Sequence, residues 1–255
     1  MKKITVNDIS LAFDRTGTGS PLVLIHGYPL DHTIWNEVVP LLSPVFDLII
    51  PDLRGFGEST SSKPQWSMQD LADDIAGVLD DQKIESAFLV GHSMGGYVAL
   101  AFAKKFPGRV RGLALVASQT AADSPEKKAD RIKQAGQISQ DGTGEAVAGM
   151  TPKLSSDPKV QKTVHDIMKR QKPAGYIGSL HAMAGREDTL PMLADSDYPV
   201  ILIHGDVDNL IPLQRAHDVQ AAVPRAQLVQ IHQAGHMPMM DAPKQVADAL
   251  ERFLV

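Results

Sequence analysis

Residues 87–106 read Ala-Phe-Leu-Val-Gly-His-Ser-Met-Gly-Gly-Tyr-Val-Ala-Leu-Ala-Phe-Ala-Lys-Lys-Phe. An apolar run meets Gly91-His92-Ser93-Met94-Gly95 and continues as a helical pattern stopped by Pro107-Gly108. The pentapeptide matches G-x-S-x-G, which becomes specific when it joins a strand to a helix, as it does here. A serine on so sharp a turn has strained backbone angles, and glycines two residues to either side remove the Cβ atoms that would collide. The hydroxyl is then held above the sheet edge, where the helix N-terminus behind it favours developing negative charge. Ser93 is the expected nucleophile.

Working outward, further short apolar runs lie at 22–26, 46–50, 112–117, 200–204 and 228–231, several of them apolar throughout instead of alternating. Strands buried on both faces of a parallel sheet have that character. Between them lie helical patterns. Ser67-Met68-Gln69-Asp70 opens one as a capping box with Asp in place of Glu, followed by Leu71, Ile75, Val78 and Leu79 at helical spacing. The last helix is expected at 243–253, with Val246, Leu250 and Phe253 on one face. Near the start, 4–6 and 9–13 flank Asn7-Asp8, a two-residue hairpin signal, and 16–20 form a turn cluster. Alternating β and α units after an antiparallel entry predict an α/β fold with a mostly parallel central sheet flanked by helices. Residues 120–195 break the rhythm: they hold no convincing strand, only polar helical patterns such as 125–138 and 158–171. The expected division is a core of 1–119 and 196–255 with a helical cap of 120–195 inserted into a single domain.

Composition narrows the function. The chain has 255 residues, 43% hydrophobic and 22% charged, and its net charge of −5 argues against a nucleic-acid partner. The 120–195 stretch carries 11 lysines and arginines against 10 acids, so the excess negative charge lies in the sheet portion. With no cysteine there is no disulfide framework, thiol nucleophile or thiolate metal site. No run approaches the roughly 20 apolar residues of a membrane helix, and the polar Asn7-Asp8 pair interrupts any signal-peptide pattern. A cytoplasmic protein without a membrane partner is expected.

A serine nucleophile needs a base, and the base needs an orienting acid. Of nine histidines, His236 follows the last strand in Gln233-Ala234-Gly235-His236-Met237-Pro238, where a loop reaches the carboxyl ends of the strands. His26 and His204 end apolar strands and read as packed rings. His92 is expected to point away from the serine, and His165, His181 and His217 to be solvated; His32 and His232 stay undecided. For the acid, Gly205-Asp206-Val207-Asp208 offers two carboxylates, of which Asp208 lies further into the loop and Asp206 reads as a turn residue bonding local N–H groups. An EF-hand reading fails because Ile211 and His217 occupy its sixth and twelfth positions. His232 and His236 lack the helix and the glutamate of a zinc-protease motif. No metal or cofactor is expected. The oxyanion donors should be the backbone N–H of Met94 and that of Tyr28 in His26-Gly27-Tyr28-Pro29.

These stretches, together with Asp52-Leu53-Arg54-Gly55-Phe56-Gly57-Glu58-Ser59, resemble the α/β-hydrolase family from about residue 3 to the end. The family order of nucleophile, acid and base is matched by Ser93, Asp208 and His236, and the family's G-x-x-D loop independently selects Asp208. The resemblance implies a serine hydrolase cleaving esters of small apolar substrates through an acyl-enzyme. Enol-lactonases and acyl-homoserine-lactone hydrolases share the frame, so a lactonase is the alternative. Dehalogenases and epoxide hydrolases use Asp where Ser93 stands. Cofactor-free perhydrolases resemble the site less, since they typically have Trp and Phe where this chain has Tyr28 and His92. A small-molecule signal receptor with vestigial hydrolysis is the reading from another class. Eight methionines near the site or in the cap, among them Met94, Met150, Met183 and Met237, suggest an adaptable apolar pocket.

Overall fold

The computed structural model describes residues 1–6 and 9–254. Eight strands form one sheet: β1 (Lys2–Val6), β2 (Ile9–Gly17), β3 (Ser20–Ile25), β4 (Phe46–Pro51), β5 (Ala87–His92), β6 (Val110–Val116), β7 (Val200–Gly205) and β8 (Gln227–Ile231). Their spatial order is β1-β2-β4-β3-β5-β6-β7-β8. β2 runs antiparallel to both β1 and β4, and the remaining pairs are parallel. The expected mostly parallel sheet with an antiparallel entry is therefore present. The Asn7-Asp8 hairpin turn lies outside the described residues.

Burial explains the apolar runs. Every residue of β5 and β7 is buried, because helices cover both faces of the central strands. At the edge, β8 exposes Gln227 and Gln230. β2 extends four residues beyond the 9–13 expectation because Asp14 to Gly17 find partners in Ile50 to Asp47 of β4, a pairing no local pattern encodes.

The helices of the sheet portion before the break in the rhythm are α1 (Val39–Leu42), α2 (Met68–Asp81) and α3 (Met94–Lys105). α2 begins at the expected capping box: the Asp70 N–H donates to Ser67 Oγ at 3.1 Å and the Ser67 N–H donates to Asp70 Oδ2 at 2.7 Å. Leu71, Ile75, Val78 and Leu79 are its buried stripe, and α2 packs on α3, which lies along β5. Between β6 and β7 come α4 (Pro125–Asp141), α5 (Gly144–Leu154), α6 (Pro158–Arg170), α7 (Pro173–Ala184) and α8 (Leu190–Ala194), with no strand among the described residues. α4 packs on α7 and α5 on α6. Their buried Val164, Met168, Tyr176 and Leu180 join the same hydrophobic cluster as the sheet, so the insertion shares the main core. α9 (Gln214–Ala222), α10 (Pro238–Asp241) and α11 (Pro243–Leu254) complete the chain, with Val246 and Leu250 of α11 fully buried.

Candidate functional site

The carboxyl ends of β3, β5, β7 and β8 carry the candidate site residues, where loops leave a parallel sheet. Ser93 stands between β5 and α3 with φ 50° and ψ −114°, a strained backbone for a residue with a Cβ. Crowding enforces the glycines beside it. A Cβ on Gly91 would lie 2.3 Å from the Gly95 carbonyl oxygen, and one on Gly95 would lie 2.3 Å from that of Ile25. The pentapeptide spacing is thus a steric requirement of three backbones meeting beneath the serine. Met94 is the first residue of α3, so its N–H has no acceptor inside the helix. Among the described residues the Tyr28 N–H has no hydrogen-bond acceptor either. Both donors remain available to a ligand oxygen.

The structure brings Asp208 and His236 together. His236 Nδ1–H donates to Asp208 Oδ2 at 2.8 Å, and Asp208 Oδ1 accepts the N–H groups of Leu210 (2.8 Å) and Ile211 (3.0 Å). The Asp208 side chain is fully buried, which by itself raises a carboxyl pKa; the charge and hydrogen bond of His236 and the two N–H groups outweigh it, and the net shift is downward. The Asp208 carboxyl is therefore held ionised. Beneath it, the buried His204 donates from Nε2 to the Ile211 carbonyl oxygen at 2.7 Å and anchors the acid's loop. His26 is buried as expected, with Nε2 accepting from the Leu53 N–H and Nδ1 facing the Gly27 carbonyl oxygen. Burial lowers the pKa of both rings.

Several expectations need correcting or extending. Asp206 does more than bond its own turn: Oδ1 accepts the Gln233 N–H at 2.7 Å and Oδ2 meets His232 Nδ1 at 2.7 Å, tying the loop after β7 to the loop after β8. His92 does not line the cavity that Ser93 opens on, as expected, but its buried ring packs beside His236. Its Nε2–H donates to the His236 carbonyl oxygen at 2.8 Å, and the two rings lie 5.0 Å apart. Burial, then the neighbouring His236, pushes the His92 pKa down to about 3, so the ring is neutral. His165, His181 and His217 are half-buried, not fully solvated.

The base is also held from the insertion, which sequence reasoning missed. The His236 N–H donates to the Leu154 carbonyl oxygen at 2.8 Å, and Ser155 Oγ donates to Asp241 Oδ1 at 2.6 Å. Asp241 Oδ2 in turn accepts the Gly235 N–H at 2.9 Å, and burial raises the Asp241 pKa despite those bonds. The end of α5 and the end of α10 thus clamp the residues around His236.

Ser93, His236 and Tyr28 line one cavity of about 470 Å³, whose wall is completed by the loop before α4, by α4, α5 and α7, and by residues around α9. Met150 and Met183 face it, whereas Met94, Met168, Met237 and Met239 are core residues at 0% exposure. The lining is more polar than a methionine pocket, with Gln119, Gln134, Lys127 and Arg131 among it.

The Asp52–Ser59 stretch is structural, as expected. Asp52 accepts His32 at 2.8 Å and the Glu58 N–H at 2.9 Å, while Arg54 forms a buried two-point ion pair with Asp74 at 2.5 Å. Burial lowers the His32 pKa, but its bond to Asp52 and that carboxylate's charge reverse the sign, so the net shift is upward. Asp31, His32 and Asp52 are spaced closely enough to hold a metal ion. Their atoms already have protein partners: Asp31 accepts Arg170 and the Gln171 amide at 2.8 Å, an ion pair that joins the insertion to the sheet portion.

No helix among the described residues is long and apolar enough to cross a membrane. The family model for the alpha/beta hydrolase fold matches residues 20–243. A thermophilic esterase from Thermogutta terrifontis is similar in structure, with a TM-score of 0.95 at 36% identity over 99% of this chain and 97% of that one. The enol-lactonase of Burkholderia xenovorans shares the fold, with a TM-score of 0.91 at 23% identity over 99% of each chain. In sequence, a pimeloyl-[acyl-carrier protein] methyl ester esterase of Aliivibrio salmonicida is 30% identical over 261 residues, 96% of either chain. A serine on a strand-to-helix turn, an acid and a histidine from later strand ends and a model match spanning most of the sequence agree, and the chain belongs to the α/β-hydrolase fold family.

Proposed function

We propose that the protein is a serine carboxylesterase acting on small esters through an acyl-enzyme. The observation that carries this reading is the Asp208–His236 hydrogen bond, with His236 and Ser93 opening on one cavity. In the proposed reaction His236 Nε2 takes the Ser93 proton as Oγ attacks the ester carbonyl, and the tetrahedral oxyanion is met by the Tyr28 and Met94 N–H groups. Collapse breaks the bond to the alcohol, which leaves with the proton from His236. Water, deprotonated by the same ring, then attacks the acyl-enzyme, and collapse returns the proton to Ser93. Asp208 keeps the Nδ1–H tautomer and stabilises the transient imidazolium. On this reading residues 120–195 act as a cap on a core of 1–119 and 196–255.

The similarity of 36% to an esterase across nearly the whole chain supports the ester class. A lactone is an ester closed on itself, and the 470 Å³ cavity has room for a small ring, which makes lactonase the second reading. The deciding experiment treats the purified protein with a fluorophosphonate probe and assays a side-by-side panel of esters and lactones. One mass equivalent on Ser93 is expected, with ester turnover at least ~10⁴-fold above the Ser93→Ala variant. Turnover no faster than that variant would sink the enzyme reading and favour a ligand-binding receptor.

A further inference from the structure

The charged side chains of the cavity wall do not cancel. Lys127, Arg131, Lys153 and Arg215 face Asp123 and Glu145. One of those acids is already committed: Asp123, with its side chain 4% exposed, pairs with Arg131 and at 2.9 Å with Arg186. The Arg186 guanidinium is itself stacked 4.2 Å above the Tyr97 ring and bonded to the Ala121 carbonyl oxygen. This trio is a fixed structure with one positive charge in excess. Lys127 and Lys153 are exposed and form no ion pair among the described residues, and Arg215 reaches only Asp218, at 3.5 Å and in solvent. Tyr28 adds a second kind of observation. It lines the same cavity at 7% exposure, and its buried hydroxyl has no hydrogen-bond partner among the described residues. A cation-rich wall on a chain of net charge −5 is a local concentration against the overall balance.

We propose that this wall is an anion subsite, so that the favoured substrate is an ester carrying a carboxylate or phosphate seated against Arg131, Lys127, Lys153 and Arg215 while its carbonyl lies at Ser93. The proposal rests on the serine-esterase reading for the carbonyl's position, but the subsite binds charge whether or not turnover follows. A neutral ester of the same length leaves these cations hydrated and gains nothing from them. An anionic one replaces water at several cations together, and its attraction weakens with salt because the lysines stand in solvent.

The test uses equilibrium binding to the Ser93→Ala protein, measured by calorimetry with methyl hydrogen adipate, dimethyl adipate and methyl 4-phosphonobutyrate. The two anionic esters should bind about 10-fold more tightly than the neutral diester at low ionic strength, as several exposed charge contacts of a few-fold each imply. The ratio should fall toward one in about 0.5 M salt. It should fall likewise when Lys127→Gln, Lys153→Gln and Arg215→Gln are combined, since these exposed side chains support no packing. The tighter of the two anions identifies carboxylate or phosphate as the better fit. Equal binding of charged and neutral esters, or a preference undiminished in the triple variant, overturns the subsite. If the binding preference holds while the wild type cleaves none of the three, the subsite stands and the esterase reading falls.

Discussion

Below the cavity, Ser93 rests on backbones packed so closely that neither flanking glycine tolerates a methyl group, and Asp208 is fully buried against three hydrogen-bond partners. Across it, the insertion presents exposed lysines on helices whose outer faces are polar, and it meets the sheet portion through a few polar ties and one shared apolar cluster. The contrast separates two jobs. On the proposed function, groups that must be aligned for bond making sit where steric crowding leaves them a single position, while the groups proposed to choose among substrates sit where side chains can be exchanged without disturbing packing. The separation is incomplete, because Leu154 and Ser155 of the insertion reach down to the residues around His236.

The largest expected effect tests the floor. Asp208→Asn should lower kcat about 10³–10⁴-fold by presenting the wrong partner to His236 Nδ1, whereas Asp206→Asn, whose carboxylate only joins two loops, should cost about 10-fold or less. The reverse ranking in steady-state kinetics would reassign the acid.

The pH dependence of stability sharpens the same contrast. His92 is held neutral down to about pH 3 by burial, but titrates near 6.5 in the unfolded chain, so below that value the unfolded state binds the extra proton. Stability is complete above pH 6.5 and declines as pH falls toward 3. Between pH 6.5 and 5 this amounts to roughly 2 kcal/mol, at ~1.4 kcal/mol per pH unit. His26 and His204 act in the same direction in both proteins, so they cancel when His92→Gln is compared with wild type. Urea unfolding at pH 7 and 5 should show the variant losing about 2 kcal/mol less than wild type. An unchanged pH dependence would mean that the ring is not held neutral.

The tie between roof and floor has a smaller effect. Ser155→Ala leaves Asp241 short of a 2.6 Å hydrogen bond, which should destabilise by about 1.5–3 kcal/mol, and kcat should fall several-fold as the His236 segment loosens. A thermal shift without any change in kcat would make this tie purely structural. Smallest of all is Arg170→Ala. Its guanidinium is half-exposed and Asp31 keeps Gln171 and Thr33 as partners, so about 1 kcal/mol or less is expected in unfolding measurements. A larger loss would show that the insertion depends on this pair for its seating.

How much was legible follows from how local each requirement is. Ser93 could be read because strand, turn and helix are contiguous and the glycine spacing is a steric rule within five residues. The capping box at Ser67 and Asp70 and the buried stripe of α2 are local in the same way. Asp208 was separable from Asp206, an aspartate only two residues away, by its place further into the loop and independently by the resemblance to known loops. The partner of His92 was not legible because it lies 144 residues away, and Asp241 and Ser155 were not singled out because they meet across 86. Four core methionines looked like pocket residues for a similar reason: composition marks a side chain as apolar but not which face it turns to.

The sequence by itself determined the alternation of strands and helices and the turn that strains Ser93, because each rests on periodicity or backbone sterics within a short window. Tertiary structure decided which buried histidine holds the base's loop and how the insertion reaches that loop. It also decided that a near-neutral insertion turns three cations toward the cavity. Those outcomes depend on which distant groups are desolvated together, and a buried polar group takes its partner from whatever the packed chain brings within reach.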